Sequence, residues 1–137
     1  MFKAEKFLTK KACVLGLGRS GKAVAELLAK KGFSVLVSEE KKVSAVPSFS
    51  KGIKVETGGH SLKVFESDFL VKSPGILPQS AVLKEAKKHK IPVFSELEVA
   101  LSFMPKDICV LAISGTNGKT TTTTLLGEIL AKKFSRE

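Results

Sequence analysis

The chain has 137 residues, enough for one well-formed core and at most part of a second. No apolar run approaches the roughly 20 residues that a membrane-crossing helix needs, and Phe2 to Leu8 is too short and too charged to act as a signal peptide. The net charge of +10 invites a nucleic-acid reading, but the lysines are scattered in pairs such as Lys10-Lys11, Lys30-Lys31 and Lys87-Lys88, and no Tyr or Trp interleaves with them to stack bases; a solvated basic surface that attracts small anions is the expectation.

Ala12 to Leu17 reads as a buried strand. Ser20 to Lys31 carries apolar residues at Ala23, Val24, Leu27 and Leu28, a helical spacing that stops at Gly32. Phe33 to Val37 is a second strand, the charged and serine-rich stretch from Glu39 to Ser50 is mostly loop, and Ile53 to Glu56 is a short third strand. After the Gly58-Gly59 turn, Ser61 to Glu66 predicts one or two helical turns, and Asp68 to Lys72 a fourth strand ending at Ser73-Pro74-Gly75. Pro78 suits the first turn of a helix running to about His89, and Pro92 to Phe94 is a fifth strand. Ser95 and Glu98 fit a capping box, opening a helix on which Leu97, Leu101 and Met104 share a face with Ala100 and which Pro105 ends. Ile108 to Ile113 predicts a further buried strand, and Thr120 to Lys133 a helix. Cys13 and Cys109 both fall in predicted buried strands, so they read as small core residues of a cytoplasmic protein and not as a disulfide framework. His60, in a turn, and His89, at a lysine-rich helix end, are expected to face solvent.

Strands alternating with helices at these lengths predict an α/β fold, a Rossmann-like parallel sheet with helices on both faces. Ligands of such sheets bind beyond the carboxyl ends of the strands. The loops Gly16 to Gly21, Ser38 to Lys41 and Ser73 to Gly75 fall at those ends and should converge on one cleft.

Two glycine motifs carry the chemistry. Gly16-Leu17-Gly18-Arg19-Ser20-Gly21 is a complete G-x-G-x-x-G between strand and helix, and Glu39 follows about 20 residues later. Physically this is a backbone nest for a pyrophosphate with a carboxylate for a sugar or base donor, which a UDP-sugar satisfies as well as NAD does. Ser114-Gly115-Thr116-Asn117-Gly118-Lys119-Thr120-Thr121, fed by an apolar run and followed by a helix, has the pattern of a phosphate loop. Lys119 would reach the β and γ phosphates, and the Thr120 hydroxyl would ligate Mg²⁺. The position four residues before the Gly118-Lys119 pair, where the full motif has glycine, is Ile113 in this chain. A dehydrogenase has no need of this second loop; a ligase that activates a carboxylate with ATP does.

The combination of Gly16 to Gly21, Lys72-Ser73-Pro74-Gly75-Ile76, the Ser95-Glu96-Leu97-Glu98 helix start and Gly115 to Thr121 resembles the Mur ligases, over the whole chain and in the same order. The first glycine motif with Ser-Pro-Gly points to the D-glutamate-adding branch. The resemblance implies a UDP-substrate domain over residues 1–94, then a linker helix and the incomplete start of an ATP-binding central domain over 95–137. It implies that Gly18, Arg19 and Ser20 wrap the diphosphate, that Glu39, Glu40 and Lys41 contact the uridine, and that Ser73, Pro74 and Gly75 form the opposite wall. It further implies ATP at Gly115, Thr116, Asn117, Gly118, Lys119, Thr120 and Thr121, with Lys119 as the catalytic group on the phosphates and Mg²⁺ on Thr120. The expected substrates are UDP-N-acetylmuramoyl-L-alanine and D-glutamate, joined through an acyl phosphate. The polypeptide alone is expected to be inactive and free to self-associate through its apolar tail. The rival readings are the L-alanine-adding branch and a non-catalytic dinucleotide- or UDP-binding module.

Overall fold

The computed structural model describes residues 2–7, 10–105 and 107–134. The chain divides into two compact units, Met1–Met104 and Pro105–Glu137.

The first unit is built on five parallel strands: β1 (Lys11–Leu15), β2 (Ser34–Glu39), β3 (Ile53–Thr57), β4 (Phe69–Lys72) and β5 (Val93–Ser95). Their order across the sheet is β3-β2-β1-β4-β5, so the chain steps outward from β1 in one direction and then returns to the other side. The central strand is buried on both faces, Ala12 to Leu15 being almost wholly covered. That accounts for its continuous apolar run: a strand sandwiched between two layers has no polar side.

Helix α1 (Arg19–Lys30) crosses from β1 to β2 and buries Gly21, Val24, Ala25 and Leu28. Gly32 follows it in the left-handed region at φ +85°, where its N–H caps the Ala29 carbonyl. With α3 (Glu96–Ser102), α1 covers one face of the sheet. Helix α2 (Ala81–Lys88) and a 3-10 stretch, Leu62–Glu66, cover the other, burying Val64, Val82 and Ala86 against Cys13, Leu15 and Leu70. Helix α2 starts later than Pro78 suggests. Pro78 lies in a turn closed by the Ser80 N–H on the Leu77 carbonyl, and Ser80 takes the N-cap position.

The capping box at α3 is formed: Ser95 Oγ accepts from the Glu98 N–H at 3.1 Å, and the Glu98 carboxylate accepts from the Ser95 N–H at 2.9 Å. The helix packs through Val99 and Glu96 with Leu97 and Leu101 exposed, and it ends at Ser102, earlier than Pro105 suggests, so that Met104 is exposed beyond its end. Helix α3 belongs to the first unit, packed on α1 and β5. A phenylalanine cluster closes this layer. Phe2 lies 4.9 Å from Phe69, 5.1 Å from Phe94 and 5.9 Å from Phe103, centroid to centroid, and is 1% exposed.

The second unit departs from expectation. Residues 108–113 form no strand, and Ile108, Val110 and Leu111 are exposed. A strand is held by hydrogen bonds to a neighbour, and no described residue pairs with this segment. Cys109 is therefore exposed as well, against the expectation of burial. Helix α4 (Lys119–Phe134) forms as predicted, with Leu125 and Ile129 exposed.

The two thiols should therefore behave differently. Burial, and secondarily the charge of Glu56, pushes the Cys13 thiol far above its ordinary range, which suppresses the reactive thiolate. We expect native protein to take up one equivalent of a thiol reagent, at Cys109, and two after unfolding; peptide mapping of the labelled site checks it. No helix among the described residues is long and apolar enough to cross a membrane.

Candidate functional site

The cleft opens where β1, β2 and β4 end. Hydrogen bonds between neighbouring strand ends bring their loops together: the Gly16 N–H donates to the Ser38 carbonyl at 2.9 Å, and the Ser73 N–H to the Leu15 carbonyl at 3.2 Å. The turn after β1 is possible only with glycine at two places. Gly16 has φ +104°, a conformation that side-chain-bearing residues avoid, and a Cβ there would lie 2.7 Å from Ser73 Oγ. A Cβ on Gly21 would collide with the Gly16 carbonyl oxygen. The glycines thus let α1 close directly onto the strand end. Gly18 is the N-cap of α1 and offers no side-chain cap, so the first N–H groups of the helix lack an intrahelical partner, at a helix start whose Gly18 and Ser20 line the cleft. That is an anion-binding geometry.

Glu39 ties this turn to β2. Its carboxylate accepts from the Leu17 N–H at 2.9 Å and the Lys41 N–H at 3.1 Å. Partial burial raises its proton affinity, but those two N–H donors, with His60 and Lys41 nearby, outweigh it and hold the group below the usual glutamate range. On the other wall, Ser73 Oγ donates to the Glu96 carboxylate at 2.6 Å, which fixes the Ser73-Pro74-Gly75 turn to the start of α3.

The resulting cavity measures about 330 Å³. From the first loop Gly16, Leu17, Gly18 and Ser20 line it, from the second Glu39 and Glu40, and from the third Ser73, Pro74, Gly75 and Ile76. The three loops converge as expected. Arg19 is exposed on the first turn of α1, and neither it nor Lys41 lines the cavity. A smaller recess of about 170 Å³ lies at the opposite, amino-terminal ends of β1 and β2, away from where parallel sheets bind ligands.

Three further residues belong to the cleft, and the motifs do not reveal them. Ser80 and Val82, at the start of α2, line it. The Ser80 hydroxyl is buried and, among the described residues, has no hydrogen-bonding partner; a ligand atom could supply one. The third is His60, which is half-buried instead of solvent-facing, with Nδ1 at 2.7 Å from Ser38 Oγ. His89, by contrast, is exposed as expected, stacked on Phe65.

The second glycine loop is described within its own unit. Gly118 takes φ +76°, and α4 begins at Lys119. The Lys119 ammonium curls back over the loop, donating to the Gly115 carbonyl at 2.6 Å and to the Thr116 carbonyl at 3.3 Å. Thr116 and Asn117 lie within the loop, and Thr120 and Thr121 follow in the first turn of α4. No group of three or more His, Cys, Asp or Glu among the described residues could hold a metal ion. A magnesium ion here would have the Thr120 hydroxyl as one ligand, a donor suited to a hard cation.

Residues 10–95, which hold all five strands and most of the cleft, match the family model for the Mur ligase MurD-like N-terminal domain. The chain belongs to that family. Relatives agree along almost its full length. It is 56% identical over 134 residues to the UDP-N-acetylmuramoylalanine--D-glutamate ligase of Elusimicrobium minutum, covering 98% of this chain and 29% of that protein. It is 41% identical over 136 residues to the enzyme of the same name from Streptococcus sanguinis, covering 95% of the chain and 30% of the relative. The chain thus spans about three tenths of the length of these relatives. Among solved structures, a murein peptide ligase from Psychrobacter arcticus aligns with a TM-score of 0.61 at 23% identity, over 88% of this chain and 26% of that one. The UDP-N-acetylmuramate-alanine ligase of Thermotoga maritima gives 0.54 at 22% identity, over 88% and 29%. At such identities the structures establish the α/β fold alone. In this MurD-like domain the strand order places the glycine turn, Glu39 and Ser73 around a single opening.

Proposed function

We propose that this chain supplies the UDP-substrate cleft and the phosphate loop of an ATP-dependent ligase that joins D-glutamate to UDP-N-acetylmuramoyl-L-alanine in peptidoglycan precursor synthesis. The observation that carries this reading is the cleft itself: an uncapped helix N-terminus behind a glycine turn, braced by the chain's own carboxylates, in a domain of the MurD-like family. The names of the relatives supply the amino acid and the acceptor.

In this reading the N–H groups at the start of α1 hold the diphosphate, with Gly18, Arg19 and Ser20 around it. Glu39, Glu40 and Lys41 lie toward the uridine, and Ser73, Pro74 and Gly75 close the other side. Because Glu39 and Glu96 already fix two of these walls, little ordering is left for the ligand to impose. The loop Gly115 to Thr121 takes ATP, with Lys119 exchanging its loop carbonyls for phosphate oxygens. Magnesium, held in part by Thr120, would neutralise phosphate charge. Phosphorylation of the substrate carboxylate gives an acyl phosphate, and attack by the D-glutamate amine forms the amide and releases phosphate. Since the chain spans about three tenths of its relatives, we propose that turnover requires residues outside it; the protein then acts in the cytoplasm, where ATP and the sugar nucleotide are found.

Ligand-induced thermal stabilisation tests the reading. A ligand at about 100 times its Kd contributes about 2.7 kcal/mol, a shift of about 10 °C in a domain near 100 residues. UDP and UDP-N-acetylmuramoyl-L-alanine should raise the melting temperature of the 137-residue chain, NAD should raise it less, and the chain with ATP and D-glutamate added should yield no product. A larger shift with NAD would overturn the reading of the cleft, and measurable turnover would overturn the proposal that residues outside the chain are required.

A further inference from the structure

The ends of β2 and β3 carry a polar cluster that the glycine motifs do not account for. Ser38 and Glu56 are direct partners in the parallel register of these strands. Ser38 Oγ lies 2.7 Å from Glu56 Oε1 and 2.7 Å from His60 Nδ1. Glu56 also accepts from the Ser61 N–H at 3.1 Å and the Ser61 hydroxyl at 2.6 Å. Burial raises the proton affinity of Glu56, but the Ser61 and Ser38 donors, with His60 nearby, outweigh it and hold the carboxyl below the usual range. It is therefore an acceptor only.

The protons then follow by elimination. The wholly buried Ser38 hydroxyl has one proton, and it goes to Glu56. Ser38 Oγ can meet His60 only as an acceptor, so Nδ1 must carry a proton. The chain Glu56–Ser38–His60 thus fixes both the ring plane and the tautomer. In the neutral ring Nε2 is left as a bare acceptor. It has no hydrogen bond to any described residue, while His60 lines the cleft beside Glu39 and Glu40.

Position decides what it would meet. The diphosphate end of the cleft lies at the glycine turn after β1, whereas His60 follows β3, two strands away. At a spacing of about 4.8 Å per strand, this is the side where the nucleoside lies once the phosphates are seated at α1. We propose that His60 is a specificity-determining contact of the nucleoside, its Nε2 accepting from the imide N–H of a uracil base. A cytosine offers an acceptor at the same ring position and would face two lone pairs. The inference rests on the UDP-cleft reading.

The test uses the 137-residue chain with UDP, CDP and inorganic pyrophosphate as probes, followed by calorimetry. His60→Asn places an amide near the Nδ1 position and can still donate to Ser38, but has nothing at Nε2. His60→Gln extends an amide toward the Nε2 position. We expect His60→Asn to weaken UDP binding about tenfold, the loss of about one net hydrogen bond, to narrow the preference for UDP over CDP, and to leave pyrophosphate affinity unchanged. His60→Gln should recover part of the UDP affinity. In the unsubstituted chain, UDP should move the ¹⁵N resonance of His60 Nε2 and leave that of His89, the only other histidine, in place. UDP affinity and selectivity unchanged in His60→Asn, with a still Nε2 resonance, would overturn the assignment while leaving the cleft intact. Failure of the unsubstituted chain to bind UDP at all would remove the cleft reading and this contact with it.

Discussion

Gly21→Ala is expected to cost the first unit at least about 3 kcal/mol, the upper range for overpacking, because the added methyl meets the Gly16 backbone carbonyl and not a movable side chain. In a domain near 100 residues this lowers the melting temperature by more than about 10 °C. The strain can be relieved only by lifting α1 from the end of β1, which spreads the N–H groups at the helix start. UDP binding should therefore fall by at least about two orders of magnitude even in protein kept folded at low temperature, a loss of about 2.7 kcal/mol. Gly18→Ala is the matched control: it has φ −70°, and no heavy atom lies within 4 Å of its added Cβ. Replacing a glycine N-cap by alanine should cost it only about 1 kcal/mol, well short of the loss in Gly21→Ala. Equal melting temperatures for the two variants would show that α1 does not close onto the turn as described.

Phe2→Ala should destabilise by about 3–5 kcal/mol, the usual range for deleting a buried aromatic ring. Phe2 stands near the beginning of the chain, where side chains are commonly loose, yet it is 1% exposed among Phe7, Phe69, Phe94 and Phe103. It touches the sheet through Phe69 and Phe94 and the helix layer through Phe103, so its removal opens a void between the two. Single domains hold about 5–15 kcal/mol in total, so the variant should be near the edge of folding at 37 °C. Urea unfolding would read the loss as a lower midpoint with an unchanged slope. A midpoint within error of the parent would mean that the cluster holds without its first member.

Most of the cleft was legible because its signals are local. Alternating strand and helix lengths announced a parallel sheet, and Gly16, Gly18 and Gly21 announced the turn, since each requirement is met within a few residues. The same holds for the Ser95–Glu98 capping box. What escaped depends on neighbours distant in sequence. Residues 108–113 are as apolar and β-branched as β1, but a strand exists only where another strand accepts its hydrogen bonds. On α3 the helical period was right, yet the period alone does not say that Val99 would turn inward and Leu97 outward. His60 looked like a solvent-facing turn residue because its partner, Ser38, is 22 positions earlier and becomes adjacent only when β2 and β3 pair. The available signal was that Ser38, Glu56 and His60 all stand at the carboxyl ends of two consecutive predicted strands. Ser80 gave no comparable signal, since its orphaned hydroxyl is visible only once the cleft has walls.

Under the proposed function, the posture of Lys119 has a consequence for how its loop would take up phosphate. By resting on the carbonyls of Gly115 and Thr116, the ammonium occupies its own landing place. An arriving anion would then not fill a vacuum but draw the ammonium off an internal tenancy. Net affinity is set by the difference between two sets of contacts, so it is blunted, while the ring of backbone is kept from collapsing in the meantime. Cutting the side chain back at this position would therefore remove a grip on the guest and, at the same stroke, the brace that keeps the room open.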